Sequence, residues 1–301
     1  MTATHAHTAS IPLPRRTAGL GQLSKILPLS IFLAGAATAW QAPALAQSST
    51  PPGGDKAAIT LPQRGFCAHR GMNATHPENT LPAFREAVRL GAQQVEFDVQ
   101  RTKDGRLVIM HDSKVNRTTD GEGRVSELTF EEIRKLDAGI KKDAKFAGTK
   151  VPTFEEAIDS LPRDIWINIH MKADVKAARK VARAIVEKGR THQAFVACSR
   201  ACADAVREAC PQVMICNMER HGGDVSRYVR ETIGQKCAFI QLSKLCTPEE
   251  MRELKAAGVK VNFFGVKSTG HCRELIAAGV DFPLVDDLAL HLKESQTPPS
   301  P

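Results

Sequence analysis

Several features that mark common classes of protein are scarce or absent in this 301-residue sequence. It contains one tyrosine, and its basic residues form no run interleaved with aromatics, so we expect no nucleic-acid partner despite a formal net charge of +8. No cysteine pair has the C-x-x-C spacing, which argues against a structural zinc cluster or a thioredoxin-like site. No G-x-G-x-x-G motif follows the first predicted strand, which argues against a dinucleotide-binding sheet.

A long hydrophobic run is also missing from the N-terminal region. The apolar stretch 26–40 contains Pro28 and Gly35 and is shorter than the ~20 apolar residues that a membrane-spanning helix needs. Basic residues precede it, and Ala44-Leu45-Ala46 follows it, an order typical of a cleaved secretory signal peptide rather than a membrane anchor. We therefore expect a signal peptide at 1–46, a flexible leader at 47–61, and a secreted or periplasmic protein without stable membrane insertion after cleavage.

From Gly65 onward, short apolar runs alternate with amphipathic segments. The eight runs that predict parallel strands are Phe66–Ala68, Val95–Val99, Ile165–Met171, Phe195–Ala197, Val213–Cys216, Ala238–Leu242, Val259–Phe264 and Phe282–Val285. Lys103-Asp104-Gly105 is too short for a parallel crossover, so Leu107–Met110 is predicted to form an antiparallel hairpin with the preceding strand. Eight strands with helical crossovers favour an α/β fold, a TIM (β/α)8 barrel over 62–293, rather than an open sheet. The tail 294–301 is predicted to be disordered.

The eight cysteines are compatible with two roles, disulfide formation and packing in the core. All eight lie after residue 66, and an even number in an exported protein permits disulfides, whereas buried cysteines also serve as small hydrophobic residues. In a barrel, Cys210 and Cys237 both precede neighbouring strands, and Cys246 and Cys272 both follow neighbouring strands. We predict that at least one of these two pairs forms a disulfide.

Polar side chains occupy the carboxyl ends of several predicted strands, which is where TIM barrels carry their active sites. The residues in these places are His69, Arg70, Glu96, Asp98, His111, His170 and Lys172. Because alternate residues of a strand share a face, Glu96 and Asp98 point the same way. Two converging carboxylates repel each other without a cation, so we expect one divalent metal ion there.

Six ordered sequence blocks resemble the glycerophosphodiester phosphodiesterase family. They are His69-Arg70-Gly71 with Pro77-Glu78-Asn79-Thr80, Glu96-x-Asp98, His111-Asp112, Arg117–Gly123, Leu136–Gly139 and Val151–Glu156. The resemblance covers about 65–290 and is densest before Glu156. It implies a TIM barrel with a small insertion after the second strand, at about 112–150.

The resemblance also implies roles for individual residues. His69 and His111 are the expected acid/base pair, Glu96 and Asp98 are expected metal ligands, and Arg70 and Lys172 are expected to hold the phosphate. Imidazoles suit proton transfer at neutral pH, and a guanidinium grips two phosphate oxygens at once. The residues do not distinguish water from the substrate's own glycerol hydroxyl as the nucleophile.

The third metal ligand departs from the family pattern. Relatives usually have a carboxylate where this chain has His170, and we expect His170 to bind the metal. The family favours calcium or magnesium, whereas an imidazole moves the preference toward manganese, iron or zinc. Relatives commonly carry a tryptophan-threonine at the end of the seventh strand, where this chain has Phe263-Phe264-Gly265, and Phe264 is expected to line a head-group pocket or to join the core.

The function implied by the resemblance is hydrolysis of a small-molecule glycerophosphodiester to an alcohol and glycerol 3-phosphate. One alternative is a phospholipase D-like activity on lysophospholipid or sphingolipid. The other is a non-catalytic protein that binds phosphodiesters or a metal. The head group, the metal, the disulfide connectivity and the oligomeric state are not determined by the sequence.

Overall fold

A computed structural model describes residues 59–295. Within this range, nine strands form one sheet: β1 (Cys67–Ala68), β2 (Gln94–Arg101), β3 (Leu107–Ile109), β4 (Trp166–Met171), β5 (Ala194–Cys198), β6 (Met214–Asn217), β7 (Phe239–Leu242), β8 (Lys260–Phe263) and β9 (Phe282–Val285). All strands except β3 pair in parallel, and β1 pairs with both β2 and β9. The double pairing of β1 closes the barrel and confirms the predicted TIM fold.

Strand β3 lies outside the barrel, as the short turn before it predicts. It pairs antiparallel with the end of β2, with Val99 opposite Ile109 and Arg101 opposite Leu107. Two backbone hydrogen bonds close the turn, Thr102 N to Arg106 O at 3.0 Å and Gly105 N to Thr102 O at 3.0 Å. The hairpin extends β2 beyond the barrel rim, and the chain leaves β3 on the face formed by the carboxyl ends of the other strands.

Helices connect the strands along the outside of the barrel. Their bounds are α1 (Leu81–Arg89), α2 (Phe130–Lys135), α3 (Phe154–Asp159), α4 (Val175–Glu187), α5 (Arg200–Ala209), α6 (Val225–Gly234), α7 (Pro248–Ala256), α8 (Thr269–Ala277) and α9 (Leu288–Ser295). Capping boxes begin three of them, because Thr129, Thr153 and Thr247 each exchange hydrogen bonds with the glutamate three residues later. Among the described helices, none is long and apolar enough to cross a membrane.

The predicted insertion, 112–150, contains α2 and two short 3-10 segments, Val125–Glu127 and Ala144–Phe146. It has its own group of buried apolar side chains, in which Val115, Val125 and Ile133 pack against Val108 of the hairpin. The insertion is therefore held to the end of β2 and β3 by a hydrophobic core separate from that of the barrel.

The barrel interior changes from apolar to polar along the strand direction. Near the start of the strands, the rings of Phe195 and Phe239 stack with centroids 3.7 Å apart, and Trp166 lies edge-on to Phe239 at 5.1 Å. Further along, Asn168 Nδ2 donates to Gln241 Oε1 across the interior at 3.1 Å. These side chains fill the interior, so the barrel is open at the carboxyl ends of its strands.

The disulfide prediction is wrong. All eight cysteines, which lie within the described residues, carry free thiols, including Cys210, Cys237, Cys246 and Cys272. Seven are buried, and Cys246 is half-buried. The buried thiols pack in the core as small hydrophobic groups, the alternative stated above. A sequence pattern alone does not distinguish this role from disulfide formation.

The terminal predictions fall partly outside the described residues. The signal peptide, 1–46, lies wholly outside them, as does the leader except for its last three residues, 59–61. At the other end, α9 continues to Ser295, so the first two residues of the predicted tail are helical. Residues 296–301 lie outside the described range.

Candidate active site

The His-Arg-Gly segment forms a tight turn directly after β1. Arg70 adopts the left-handed backbone region with φ 57°, and Gly71 follows with φ 78°. A Cβ at Gly71 would lie 2.7 Å from the backbone carbon of Ala83, so only glycine fits against α1. The turn directs the Arg70 backbone N–H toward Glu96 Oε2, at 2.9 Å. A strained backbone at this place is typical of a functional site.

Glu96, Asp98 and His170 converge as the strand pattern predicts. Asp98 lies opposite His170 in the β2–β4 pairing, and His170 Nδ1 is 3.2 Å from Asp98 Oδ1 and 3.5 Å from Glu96 Oε1. One ligand atom from each side chain falls within 4.8 Å of the others. Both carboxylates are buried, and Asp98 Oδ1 accepts no well-formed hydrogen bond from the described residues. Two buried carboxylates, one with an unsatisfied oxygen, and an imidazole form a donor set that fits a divalent cation.

Asn79 orients one of these carboxylates. Its Nδ2 donates to Asp98 Oδ2 at 2.9 Å, and its Oδ1 accepts the Asp98 backbone N–H at 3.2 Å. Asn79 has φ 59°, a conformation that asparagine tolerates better than most residues. Thr80 occupies the N-cap of α1 without a side-chain capping bond. The Asn79 side chain therefore fixes the Asp98 carboxylate rather than capping α1.

His69 is held by a carboxylate from the opposite end of the chain. Its Nδ1 lies 2.7 Å from Asp286 Oδ1, and Asn73 Nδ2 donates to the same oxygen at 2.7 Å. Burial alone would lower the pKa of His69, but the Asp286 hydrogen bond and the charge of Glu96 raise it above its usual value. Asp286 directly follows β9. Asp286, like His69, lies at the carboxyl end of a strand, so the sequence pattern could have identified it as a site residue. Its contact with His69 is visible only in the structure.

His111 has an equivalent carboxylate beside it. Its Nδ1 lies 2.7 Å from Asp112 Oδ1, and Arg117 Nε donates to Asp112 Oδ2 at 2.6 Å. The Arg117 hydrogen bond, more than that of His111, lowers the pKa of Asp112 to about 2. Both histidines of the predicted acid/base pair thus present Nδ1 to a carboxylate, which leaves Nε2 for other contacts.

Arg117 connects the insertion to the phosphate-binding candidate Arg70. It donates two hydrogen bonds of 2.7 Å to the Glu78 carboxylate, which also accepts from Arg70 Nη1 at 2.9 Å. Arg70 Nε lies 3.4 Å from Asp98 Oδ2, and Lys172 Nζ lies 3.6 Å from Asp98 Oδ1. The predicted cations therefore surround the carboxylate cluster, and Glu78 and Arg117, whose roles the sequence left open, hold the arrangement together.

A cavity of about 190 Å3 unites the predicted residues. It is lined by His69, Arg70, Glu96, His111, His170, Lys172, Arg220, Gln241, Phe264 and Leu284. Phe264 is 40% exposed and lies edge-on to His69, with ring centroids 5.5 Å apart, so it lines the cavity rather than the core. Arg220 and Gln241 were not identified from the sequence, because nothing in the segment that follows β6 marks one arginine as inward-facing. A wider depression beside Arg200 and Arg227 contains none of the predicted site residues.

Comparison with known protein families agrees with this geometry. A model described as the glycerophosphoryl diester phosphodiesterase family matches residues 69–217, which begin at His69 and include β2, β4 and the insertion. The chain belongs to this family. A glycerophosphodiester phosphodiesterase of Caldanaerobacter subterraneus subsp. tengcongensis is 51% identical over 109 residues, which are 36% of this chain and 45% of that protein. The chain thus spans less than half the length of this curated relative.

Solved structures of the family share the barrel. A phosphodiesterase of Oleispira antarctica in complex with the product sn-glycerol-3-phosphate has a TM-score of 0.67 at 25% identity, over 79% of this chain and 98% of that one. A glycerophosphodiester phosphodiesterase of Agrobacterium tumefaciens has a TM-score of 0.65 at 25% identity, over 76% of this chain and 99% of that one. In this glycerophosphodiester phosphodiesterase-family chain, the cavity at the carboxyl ends of the strands is therefore the candidate active site.

Proposed function

We propose that this chain hydrolyses small-molecule glycerophosphodiesters to an alcohol and glycerol 3-phosphate, with one divalent metal ion as cofactor. The observation that carries the proposal is the cavity in which His69, His111, Arg70 and Lys172 surround the Glu96–Asp98–His170 cluster. Family membership supports a phosphodiester as the substrate, and the Oleispira relative was solved with sn-glycerol-3-phosphate.

The two histidines divide the proton transfers of the reaction. Asp286 and Asp112 each hold an Nδ1 atom at 2.7 Å, which favours the tautomer with the proton on Nδ1 and leaves Nε2 to face the substrate. One histidine starts neutral, and its Nε2 accepts the proton of the attacking oxygen; the other starts as the imidazolium, protonated at both nitrogens, and its Nε2 donates a proton to the leaving alcohol as its bond to phosphorus breaks. The carboxylates keep the imidazoles oriented and stabilise the imidazolium that forms.

Arg70 and Lys172 bind the phosphate oxygens and stabilise the charge that develops on them. Glu78 and Asp98 fix the Arg70 guanidinium from two sides, at 2.9 and 3.4 Å, so little side-chain freedom is lost when substrate binds. Glu96, Asp98 and His170 would hold the metal, which would polarise a phosphoryl oxygen when bound. We propose a transition metal such as manganese, iron or zinc in preference to calcium or magnesium, because one ligand is an imidazole.

The defining experiment is turnover of glycerophosphocholine by chelator-treated protein supplied separately with calcium, magnesium, manganese and zinc. We expect a divalent metal to restore release of choline and glycerol 3-phosphate. His69→Asn and His111→Asn should each lower kcat by ~100-fold or more. His192→Asn is the matched control, since His192 is exposed and bonds to the backbone of Arg163 at 3.0 Å, away from the cavity.

Two outcomes would contradict the proposal. Turnover that survives both histidine substitutions would exclude the acid/base pair. Binding of glycerophosphodiesters without turnover under any metal would instead favour a non-catalytic phosphodiester-binding protein. No observation on the described residues favours phospholipase D-like activity on intact lysophospholipid or sphingolipid.

We also propose that the enzyme is exported, with cleavage after Ala46. Arg15, Arg16 and Lys25, the apolar run 26–40 and Ala44-Leu45-Ala46 support this. N-terminal sequencing of the protein from a periplasmic fraction should begin at Gln47. Recovery of uncleaved chain in the cytoplasm would contradict it.

A further inference from the structure

Several basic side chains line the cavity, and nearby carboxylates pair with nearly all of them. Arg70 and Lys172 lie within 3.4 and 3.6 Å of Asp98 oxygens. The three histidines, His69, His111 and His170, lie 2.7, 2.7 and 3.2 Å from aspartate oxygens. One cation that lines the cavity differs from these.

Arg220 lines the same cavity without an acidic partner. Its Nε donates to the backbone carbonyl of Gln241 at 3.3 Å, and within residues 59–295 no carboxylate oxygen lies within the 4.0 Å of an ion pair. The side chain is half-buried, so water screens its charge less than at the surface. A partly buried guanidinium without a counter-ion attracts an anionic ligand.

The loop that carries Arg220 is well fixed. Arg220 N donates to Met218 O at 3.0 Å, and Gly223 N donates to Arg220 O at 2.8 Å. His221 has φ 45° and ties the loop to α6 through an Nε2 contact of 2.7 Å with Glu231 Oε2. Arg220 is thus held in place before a ligand arrives, which reduces the entropic cost of binding.

The barrel topology separates Arg220 from the phosphate-binding cations. Around the closed sheet, β6 is four strands from β1 in either direction, so Arg220 approaches from the wall opposite His69 and Arg70. Lys172 follows β4, two strands from β6. Arg220 therefore lies across the shared cavity from Arg70, on the side that a substituent of a phosphate held by Arg70 and Lys172 can reach.

We propose that Arg220 binds a second negative charge, carried by the alcohol part of the substrate, so that glycerophosphodiesters with an acidic head group are preferred. The glycerol part offers only hydroxyl groups, so the second charge belongs to the alcohol. This inference rests on the proposed function. It narrows the substrates to esters whose alcohol carries a carboxylate or a further phosphate.

The test compares two synthetic substrates of nearly equal shape, glycerophosphoglycolate, which carries a carboxylate, and glycerophosphoglycolamide, which carries a neutral amide. The wild-type enzyme should show kcat/KM roughly tenfold or more higher for the glycolate ester, which corresponds to about 1.4 kcal/mol, because only the carboxylate forms a charge-assisted hydrogen bond with the guanidinium. Arg220→Met should remove this preference, and Arg220→Lys should retain part of it. Arg230→Met is the matched control, because Arg230 is an exposed arginine of α6 that does not line the cavity.

Equal kcat/KM values for the two esters with the wild-type enzyme would overturn the proposal. An equal loss of kcat/KM for both esters in Arg220→Met would also overturn it, because Arg220 would then contact the phosphate that both esters share. If neither ester nor glycerophosphocholine is hydrolysed, the proposed function fails. Calorimetric binding of the matching phosphonates then decides separately whether Arg220 prefers the acidic head group. The same binding measurement, with thermal unfolding, identifies an Arg220→Met variant that has lost its fold.

Discussion

The imidazole of His69 and the carboxylate of Asp286 lie 2.7 Å apart, although 217 residues separate them in the sequence. The contact crosses the seam at which β1 and β9 pair and close the barrel. The orientation of His69, the proposed acid/base residue at the first strand, thus depends on the last strand being in place.

Asp286→Asn should therefore change the pH dependence of catalysis. Burial lowers the pKa of His69, and the Asp286 hydrogen bond is the largest influence that raises it. Without the carboxylate, the pKa of His69 falls, so the limb of the kcat/KM profile that reports His69 moves to lower pH. We expect kcat to fall roughly tenfold or more, because the imidazole loses the group that orients it. The measurement is kcat/KM across the pH range.

The control for this substitution is Asp287→Asn. The neighbouring carboxylate accepts the Leu290 backbone N–H at 3.0 Å at the start of α9 and does not contact His69. Asp287→Asn should leave the pH profile in place. An unshifted profile in Asp286→Asn would mean that this contact does not set the pKa of His69.

Arg117→Met should reduce activity far more than stability. The side chain is 47% exposed, so its ion pairs contribute at most about 1 kcal/mol to the free energy of unfolding. It nonetheless fixes Asp112 beside His111 and Glu78 beside Arg70. We expect kcat to fall roughly tenfold with a small change in Tm. Arg117→Lys should retain only part of the wild-type kcat, because lysine lacks the planar guanidinium that binds two carboxylates at once.

A second exposed arginine of the insertion provides the comparison for Arg117. Arg124 is 49% exposed and lies 4.0 Å from Glu127, outside the cavity. Arg124→Met should match the wild type in kcat. Equal losses in both variants would assign the effect to the general charge of the insertion.

His170→Glu should move the metal preference toward calcium and magnesium. The substitution replaces an imidazole by a carboxylate, a harder ligand, beside Glu96 and Asp98. His170→Ala should weaken binding of any divalent metal by roughly tenfold or more. Calorimetric titration of the chelator-treated proteins measures both, and unchanged affinities in both variants would remove His170 from the site.

Native thiol labelling should distinguish one cysteine from the other seven. Cys246 is half-buried and reachable by reagent, whereas the other seven thiols are buried; burial raises the pKa of Cys246 and also that of Cys272, the latter to about 11. Since the thiolate is the reactive form, a raised pKa delays reaction to higher pH. One label per chain is expected in the native state and eight after unfolding. A mass consistent with a disulfide would contradict the free thiols.

The barrel was predictable because its strands and helices differ in local pattern. Buried parallel strands read as short apolar runs, and helices such as α4 place Ala178, Val181, Ala182 and Ile185 on one face. The five-residue connection 102–106 between β2 and β3 is too short for a parallel crossover. For the same local reasons, alternation along β2 and β4 placed Glu96, Asp98 and His170 on the inner face, and the structure brings them together.

The cysteines and the groups that orient the histidines were not predictable in this way. Whether two thiols meet depends on how neighbouring helices and strands pack; here seven of the eight free cysteines are buried, and Cys246 is half-buried. The segment after β6 contains Glu219 and Arg220 side by side, and only the folded loop directs Arg220 into the cavity.

The sequence by itself determined the eightfold alternation of elements, the family resemblance and the residues at the strand ends, because these depend on local periodicity and spacing. Tertiary structure alone decided that Asp286 bonds to His69, that Arg117 joins Asp112 to Glu78, and that Arg220 lines the cavity without a carboxylate partner within residues 59–295. These contacts join residues on different strands and loops. Their distances are set by barrel closure and side-chain packing, which no local pattern encodes.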